Sequence, residues 1–327
     1  MISFLDIYSY AHSTIAIGGM LFNALLVYLA LFQTPKMIRS YATLIANFGI
    51  VDLAVCFFDF FVQQRIIPAG RSLAYISNGF CKNYSPTACY VGYSLMLHCF
   101  SHSLWSLLVS FYYRYYILLY PAPTRGKLVL IILLVYTPSL LQWITFLWAQ
   151  DDPSEIVEIL HIKYPSYDLD GLVVTGTKDI ICFSALFTIF HMTLPITPVF
   201  ICILILRRKI IKQLSFQGVN LTKNTKDLHS QLLMALTYQA LLPGFYLFSA
   251  ISYGLGQLGI FNHIALEYFT FSSILFIPFL SPISSFIFVN TYRRLIIRTF
   301  QKLLGIERTY SPSNRVHTIT SQIEGFA

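Results

Sequence analysis

Between sparse polar interruptions the chain carries seven apolar stretches, at about 10–32, 42–63, 88–119, 128–149, 180–206, 231–256 and 265–290. As a helix rising about 1.5 Å per residue, each is long enough to cross a hydrocarbon core of about 30 Å. None alternates with the period of a barrel strand, so the pattern predicts helices, which satisfy their own backbone groups in lipid. Pro138, Pro195, Pro198, Pro243, Pro278 and Pro282 fall inside these stretches, where each removes a backbone donor and predicts a break or kink. The pattern predicts an all-α membrane protein. A seven-transmembrane helix bundle with a short cytoplasmic helix at its end would occupy residues 1–300, and a cytoplasmic tail 301–327. The first apolar run is too long for a cleavable signal and is preceded by no Lys or Arg, so the first helix is expected to act as its own insertion signal.

Composition sharpens this picture by exclusion. Hydrophobic residues make up 56% of the chain and charged residues only 11%, whereas a soluble domain needs about 25% charged residues to solvate its surface. A soluble enzyme is excluded. No internal repeat marks an inverted-repeat transporter, and charged pore stripes expected of a channel are missing. The eight histidines are scattered. His98 and His102 lie one helical turn apart beside Cys99, but two ligands do not make a metal site, so no metal is assigned. Nothing points to a cofactor or to nucleic acid.

The net charge of +8 acquires meaning from its location. If alternate loops lie on opposite sides, 17 of the 22 Lys and Arg fall on one side, including Arg207, Arg208, Lys209, Lys212 and the basic residues from Arg293 onward. Arg65, Arg71, Lys82, Lys163 and Lys178 fall on the other. The positive-inside rule puts the first set in the cytoplasm, contacting membrane lipids, with the amino terminus outside. The acidic run from Asp151 to Asp179 becomes an outer loop. Insect-type odorant channels also have seven spans but the opposite orientation.

Several residues carry a likeness to rhodopsin-like G-protein-coupled receptors. The third stretch ends FYYRYYILLYP, so Arg114, flanked by Tyr113 and Tyr115 and followed by Pro121, resembles the Asp-Arg-Tyr element with Tyr113 in the acid's place. The resting contact of Arg114 is therefore expected to be a neutral hydrogen bond and not a salt bridge. Cys89 stands where these receptors keep an outer cysteine on the third helix. Asn23 and Asp52 match the polar residues of the first two helices, a pair expected to hold water or a cation. From Ser281 the chain reads SPISSFIFVNTYRR, resembling Asn-Pro-x-x-Tyr around Pro282, and Tyr292 opens an aromatic-basic segment resembling an eighth helix. Ser281 and Ser285 depart from that element. Longer runs, such as FFVQQRIIPAGRSLAYISNGFCKNY and CYVGYSLMLHCFSHSLWSLLVSFYYRYYILL, resemble the nematode serpentine chemoreceptors of class delta, most closely over about 33–142. The resemblance implies a receptor on sensory cilia, in the plasma membrane, that binds a small-molecule chemical ligand and activates a heterotrimeric G protein.

A ligand would enter between the outer halves of the third, fifth, sixth and seventh helices. Tyr90, Tyr93, Met96, Tyr246, Ser249, Tyr253, Glu267, Tyr268 and Phe271 are the candidates, with ordinary packing the alternative for each. Glu267, if it faces the cavity, would favour a cationic or donor-rich ligand. At the inner end, Pro243 is the expected pivot of the sixth helix. Cys89 can bridge to Cys81, bridge to Cys182 or stay free, and compartment favours Cys81. Asn83 in Asn83-Tyr-Ser is the one glycosylation sequon on the outer side.

Overall fold

A computed structural model of the chain describes residues 4–34, 39–217, 223–261 and 263–304. Most of the expected tail, 301–327, lies outside these residues. In chain order the elements are α1 (Phe4–Phe32), α2 (Arg39–Val62), β1 (Gln64–Ala69), β2 (Ser72–Ser77), α3 (Pro86–Leu119), α4 (Arg125–Leu147), α5 (Pro153–Lys163) and β3 (Val173–Thr177). There follow α6 (Phe183–Thr193), α7 (Ile196–Gln217), α8 (Lys223–Gln239), α9 (Pro243–Gln257), α10 (Ile264–Phe288) and α11 (Asn290–Leu303).

Among the described residues, seven helical rods are long and apolar enough to span a membrane. The fifth is α6 running into α7, interrupted at Leu194 and Pro195, and the sixth is α8 running into α9, interrupted just before Pro243. Both interruptions occur where proline cannot complete the backbone ladder. Ser85 caps α3 by accepting from the Ala88 amide, and Pro86 occupies the first turn, where its missing N–H costs nothing. The third rod is the axis of the bundle, with buried residues from Cys89 to Leu118. By contrast α4 buries one stripe, including Leu128, Ile132, Ser139 and Gln142, and exposes Leu133, Leu134 and Leu141. Apolar residues on the outside are what a lipid solvent requires.

Hydropathy does not reveal a three-stranded antiparallel sheet, in the order β1-β2-β3, on the outer side. Gly70 and Arg71 form the two-residue turn between β1 and β2, and Gly70 has φ 73°, a conformation costly for a residue with a Cβ. Pro68 is tolerated because β1 is an edge strand. Both faces of the sheet are covered. Ile67, Ala74 and Ile76 pack against Ile156 and Leu160 of α5, and Ile66, Leu73 and Tyr75 join the bundle core. At the α2–β1 junction Gln63 has φ 44°, and its side chain is held by Ser9 and Ser13 of α1 at 2.8 and 2.6 Å. Beyond β2, Cys81 is bonded to Cys89 in the first turn of α3.

Candidate functional site

The sheet roofs a cavity of about 100 Å³ in the outer half of the bundle. Ile66, Leu73, Tyr75 and Thr177 of the sheet lie above it. Its walls are Tyr93 and Leu97 from α3, Thr188 and Met192 from α6, Tyr246, Ser249 and Tyr253 from α9, and Thr270, Phe271 and Ile274 from α10. The rings interlock: Tyr75 and Tyr93 have centroids 4.6 Å apart, and Tyr93 meets Phe271 edge-on at 5.5 Å. Among the described residues, no charged side chain or histidine lines this cavity. The buried Thr188 hydroxyl has no partner among the described residues. A buried polar group left unpaired in a cavity wall marks a place where water or a ligand group completes the bonding.

Beside the cavity, a charge cluster pins the roof to the bundle. Arg65 of β1 donates from Nε and Nη2 to one carboxylate oxygen of Glu267 in α10, at 2.8 and 2.6 Å, and Tyr167 donates to the other at 2.8 Å. The guanidinium lies between the rings of Tyr167 and Tyr268, 4.9 and 4.8 Å from their centroids. Burial alone would lower the pKa of Arg65, but the Glu267 charge and its hydrogen bonds outweigh burial and raise it. Tyr167 is raised by burial first, then by its hydrogen bond to Glu267 and the charge there, so its hydroxyl stays a donor.

Deeper in the bundle, Met192 and Tyr246 also line a second cavity of about 60 Å³. This chamber is polar on one side, with Asp52, Ser103, His191, Gln239 and Ser281, and Pro243 on its wall. Ser103 donates to Asp52 at 3.4 Å, and Nε2 of His191 has no partner among the described residues. Nearby, Asn23 donates to the carbonyls of Gly19 at 2.9 Å and Pro278 at 2.8 Å. The Pro278 carbonyl is free to accept because Pro282, four residues on, has no N–H to give it.

At the inner end Arg114 is only 2% exposed. Its guanidinium lies 3.7 Å from the ring centroid of Tyr41 in α2, and Tyr41 stacks on Tyr113 at 6.2 Å. Nε and Nη2 of Arg114 have no hydrogen-bond partner among the described residues. Tyr292, at the start of α11, is buried against the same cluster and shares a 2.8 Å hydrogen bond with Thr34. Burial pushes its hydroxyl up to about 12, with the Thr34 bond opposing.

The family description "Serpentine type 7TM GPCR chemoreceptor Srd" matches residues 8–298, nearly the whole chain. The chain belongs to this class delta family of serpentine chemoreceptors. The receptor is 42% identical to serpentine receptor class delta-19 of Caenorhabditis elegans over 322 residues, which cover 96% of this chain and 94% of that one. To serpentine receptor class delta-18 of the same organism it is 43% identical over 313 residues, or 93% and 92% of the two chains. Squid rhodopsin superposes with a TM-score of 0.63 at 14% identity, covering 91% of this chain and 82% of that chain, a likeness of fold alone. This is therefore a multi-pass membrane receptor of the G-protein-coupled class, from a family of receptors and not of enzymes.

In this class delta receptor, Tyr93, Tyr246, Ser249, Tyr253 and Phe271 do meet at the outer cavity. Four other candidates do not. Tyr90 donates to the Phe146 carbonyl at 2.9 Å, Met96 is buried core outside both cavities, and Tyr268 packs on Arg65 and Tyr8. Glu267 lines a narrow cleft with Pro68 and Gly256, and Arg65 and Tyr167 occupy both its oxygens, so it offers no free charge to a cationic ligand. Asn23 and Asp52 are not hydrogen-bonded to each other: Asn23 serves the Pro278 carbonyl and Asp52 opens on the inner cavity. The guanidinium of Arg114 meets Tyr41 of α2, over whose ring it lies, and not its chain neighbour Tyr113. Tyr115 lies half-buried, 5.7 Å under Lys209, and Pro121 is exposed in the loop after α3. Asn83 is exposed beside the disulfide. No local pattern in the sequence singles out the sheet residues Tyr75 and Thr177 or the pairing of Arg65. Gly70 between two β-rich runs was the available signal for the hairpin.

Proposed function

We propose that the receptor senses a small neutral molecule in the outer cavity and passes the signal to a heterotrimeric G protein at its inner face, from the plasma membrane of sensory cilia. The observation that supports this best is the aromatic cavity, with no charged side chain among its described lining and the buried Thr188 hydroxyl left without a partner among the described residues. An ion would enter at a cost of several kcal/mol with no counter-charge to meet it. A neutral, mainly apolar molecule with a hydrogen-bonding group fits that wall. Tyr246 is the link inward, since it lines both cavities and sits three residues after Pro243, where the sixth rod is interrupted. A ligand that presses on Tyr246 shifts α9 against α8 and opens the inner end. Arg114 then leaves Tyr41 and offers its donors to the G protein.

The test is a ligand-evoked second-messenger response at matched surface expression. Thr188→Val keeps shape and loses the hydroxyl, so it should lower potency by about fivefold to tenfold, the worth of one neutral hydrogen bond of about 1 kcal/mol. Ser249→Phe should fill the cavity and abolish the response. Arg114→Ala should bind ligand and fail to signal. Unchanged responses in both cavity variants would place the cue elsewhere, and normal signalling by Arg114→Ala would reduce that residue to a structural one.

A further inference from the structure

A third cavity lies on the lipid-facing side of the inner half, where α3 forms the floor of a groove between α4 and α7. Its volume is about 710 Å³, far larger than either cavity inside the bundle, and it is almost wholly apolar. Leu108, Ile131, Ile205 and Leu206 line its length. Lys127, in the first turn of α4, lies at its cytoplasmic end. The Lys127 ammonium is exposed and has no hydrogen-bond or ion-pair partner among the described residues. Tyr112 and Tyr116 add phenol hydroxyls to the same rim.

We propose that this groove is a binding site for one anionic phospholipid of the inner leaflet. An acyl chain lies against the apolar floor, and the headgroup phosphate meets Lys127 and the neighbouring tyrosines. Two observations choose this occupant over any other apolar body. The groove lies at the basic end of the bundle, the side that faces the anionic leaflet, and Lys127, the cation on its described lining, has no partner among the described residues. An apolar groove ending in an unpaired ammonium complements a molecule that is apolar along its length and anionic at one end. The site also touches the switch. Tyr113 forms part of the groove wall and stacks on Tyr41, the ring that carries Arg114. A bound chain therefore supports Tyr113 from the lipid side and holds that stack in place.

The experiment is native mass spectrometry of the full-length receptor released from vesicles holding equal amounts of phosphatidylserine and phosphatidylcholine, with monodisperse elution checked for every variant. The wild type should retain phosphatidylserine in preference to phosphatidylcholine. Lys127→Gln should lower that preference about fivefold, which corresponds to about 1 kcal/mol for one basic residue at the surface. Ile205→Trp, which fills the groove, should reduce retention of both lipids, and Lys302→Gln on α11 should change nothing. Equal preference in wild type and Lys127→Gln would overturn the proposal. An equal loss in Lys302→Gln would do the same, because it assigns the preference to diffuse surface charge. A cross-link between Cys202 thiols of two receptors, in a Cys182→Ser background free of bound lipid, would give the groove to a second copy instead.

Discussion

Replacing Arg65 with Leu leaves the Glu267 carboxylate buried with only the Tyr167 hydroxyl to satisfy it. The two bonds lost are short, at 2.8 and 2.6 Å, and both side chains are buried, 8% and 1% exposed. Breaking such a pair from one side costs about 3–5 kcal/mol, because the remaining charge is stranded. At about 1.5 °C per kcal/mol for a chain of 327 residues, the unfolding midpoint should fall by about 4–8 °C. The double variant Arg65→Leu with Glu267→Leu strands no charge and should recover to within about 2 kcal/mol of the wild type. Cys56 and Cys99 are buried thiols, so a thiol-reactive fluorophore reports their exposure on heating, once the exposed Cys182 and Cys202 are changed to Ser. If the single variant melts like the wild type, or the double melts as low as the single, the pair is not what pins the roof to α10.

Two further outcomes follow from the same geometry. Tyr41→Leu removes the ring under Arg114, a desolvated cation–π contact of about 2 kcal/mol, and should raise basal activity on the order of thirtyfold, whereas Tyr41→Phe and Tyr113→Phe should leave it unchanged; a rise in Tyr41→Phe equal to that in Tyr41→Leu would make the hydroxyl the lock. An epitope tag before Met1 should stain on intact cells and one after Ala327 only after permeabilisation, and the reverse pattern would contradict the orientation taken from the basic residues.

The seven rods are legible because lipid demands long unbroken apolar runs, and the interruptions at Pro195 and Pro243 are legible because proline lacks a donor. The sheet is not, for a physical reason. Strands covered on both faces lose their alternation, and β1 and β2 are buried at every position, so Ile66-Ile67 and Leu73-Ala74-Tyr75-Ile76 carry no period-2 signal and fall within the loop between the second and third apolar stretches. Arg65 then looks like a loop cation. Its partner Glu267 is 202 residues away, and no local pattern reports a contact at that distance. The aromatic candidates on α3 illustrate the remaining limit: Tyr90 and Tyr93 are both buried, yet only Tyr93 faces the cavity while Tyr90 reaches for the Phe146 carbonyl. Similarly, Arg114 was legible as a residue and its contact was not, since Tyr41 comes from another helix.

The central claim is that a molecule held in the outer cavity acts through a G protein. The direct measurement is a screen of small neutral molecules against cells expressing the receptor, reading cAMP, cGMP and calcium with and without a co-expressed Gα subunit. The cavity predicts a response that needs Gα, disappears in Ser249→Phe and weakens in Thr188→Val. A ligand-evoked ionic current that persists without any Gα subunit would contradict it.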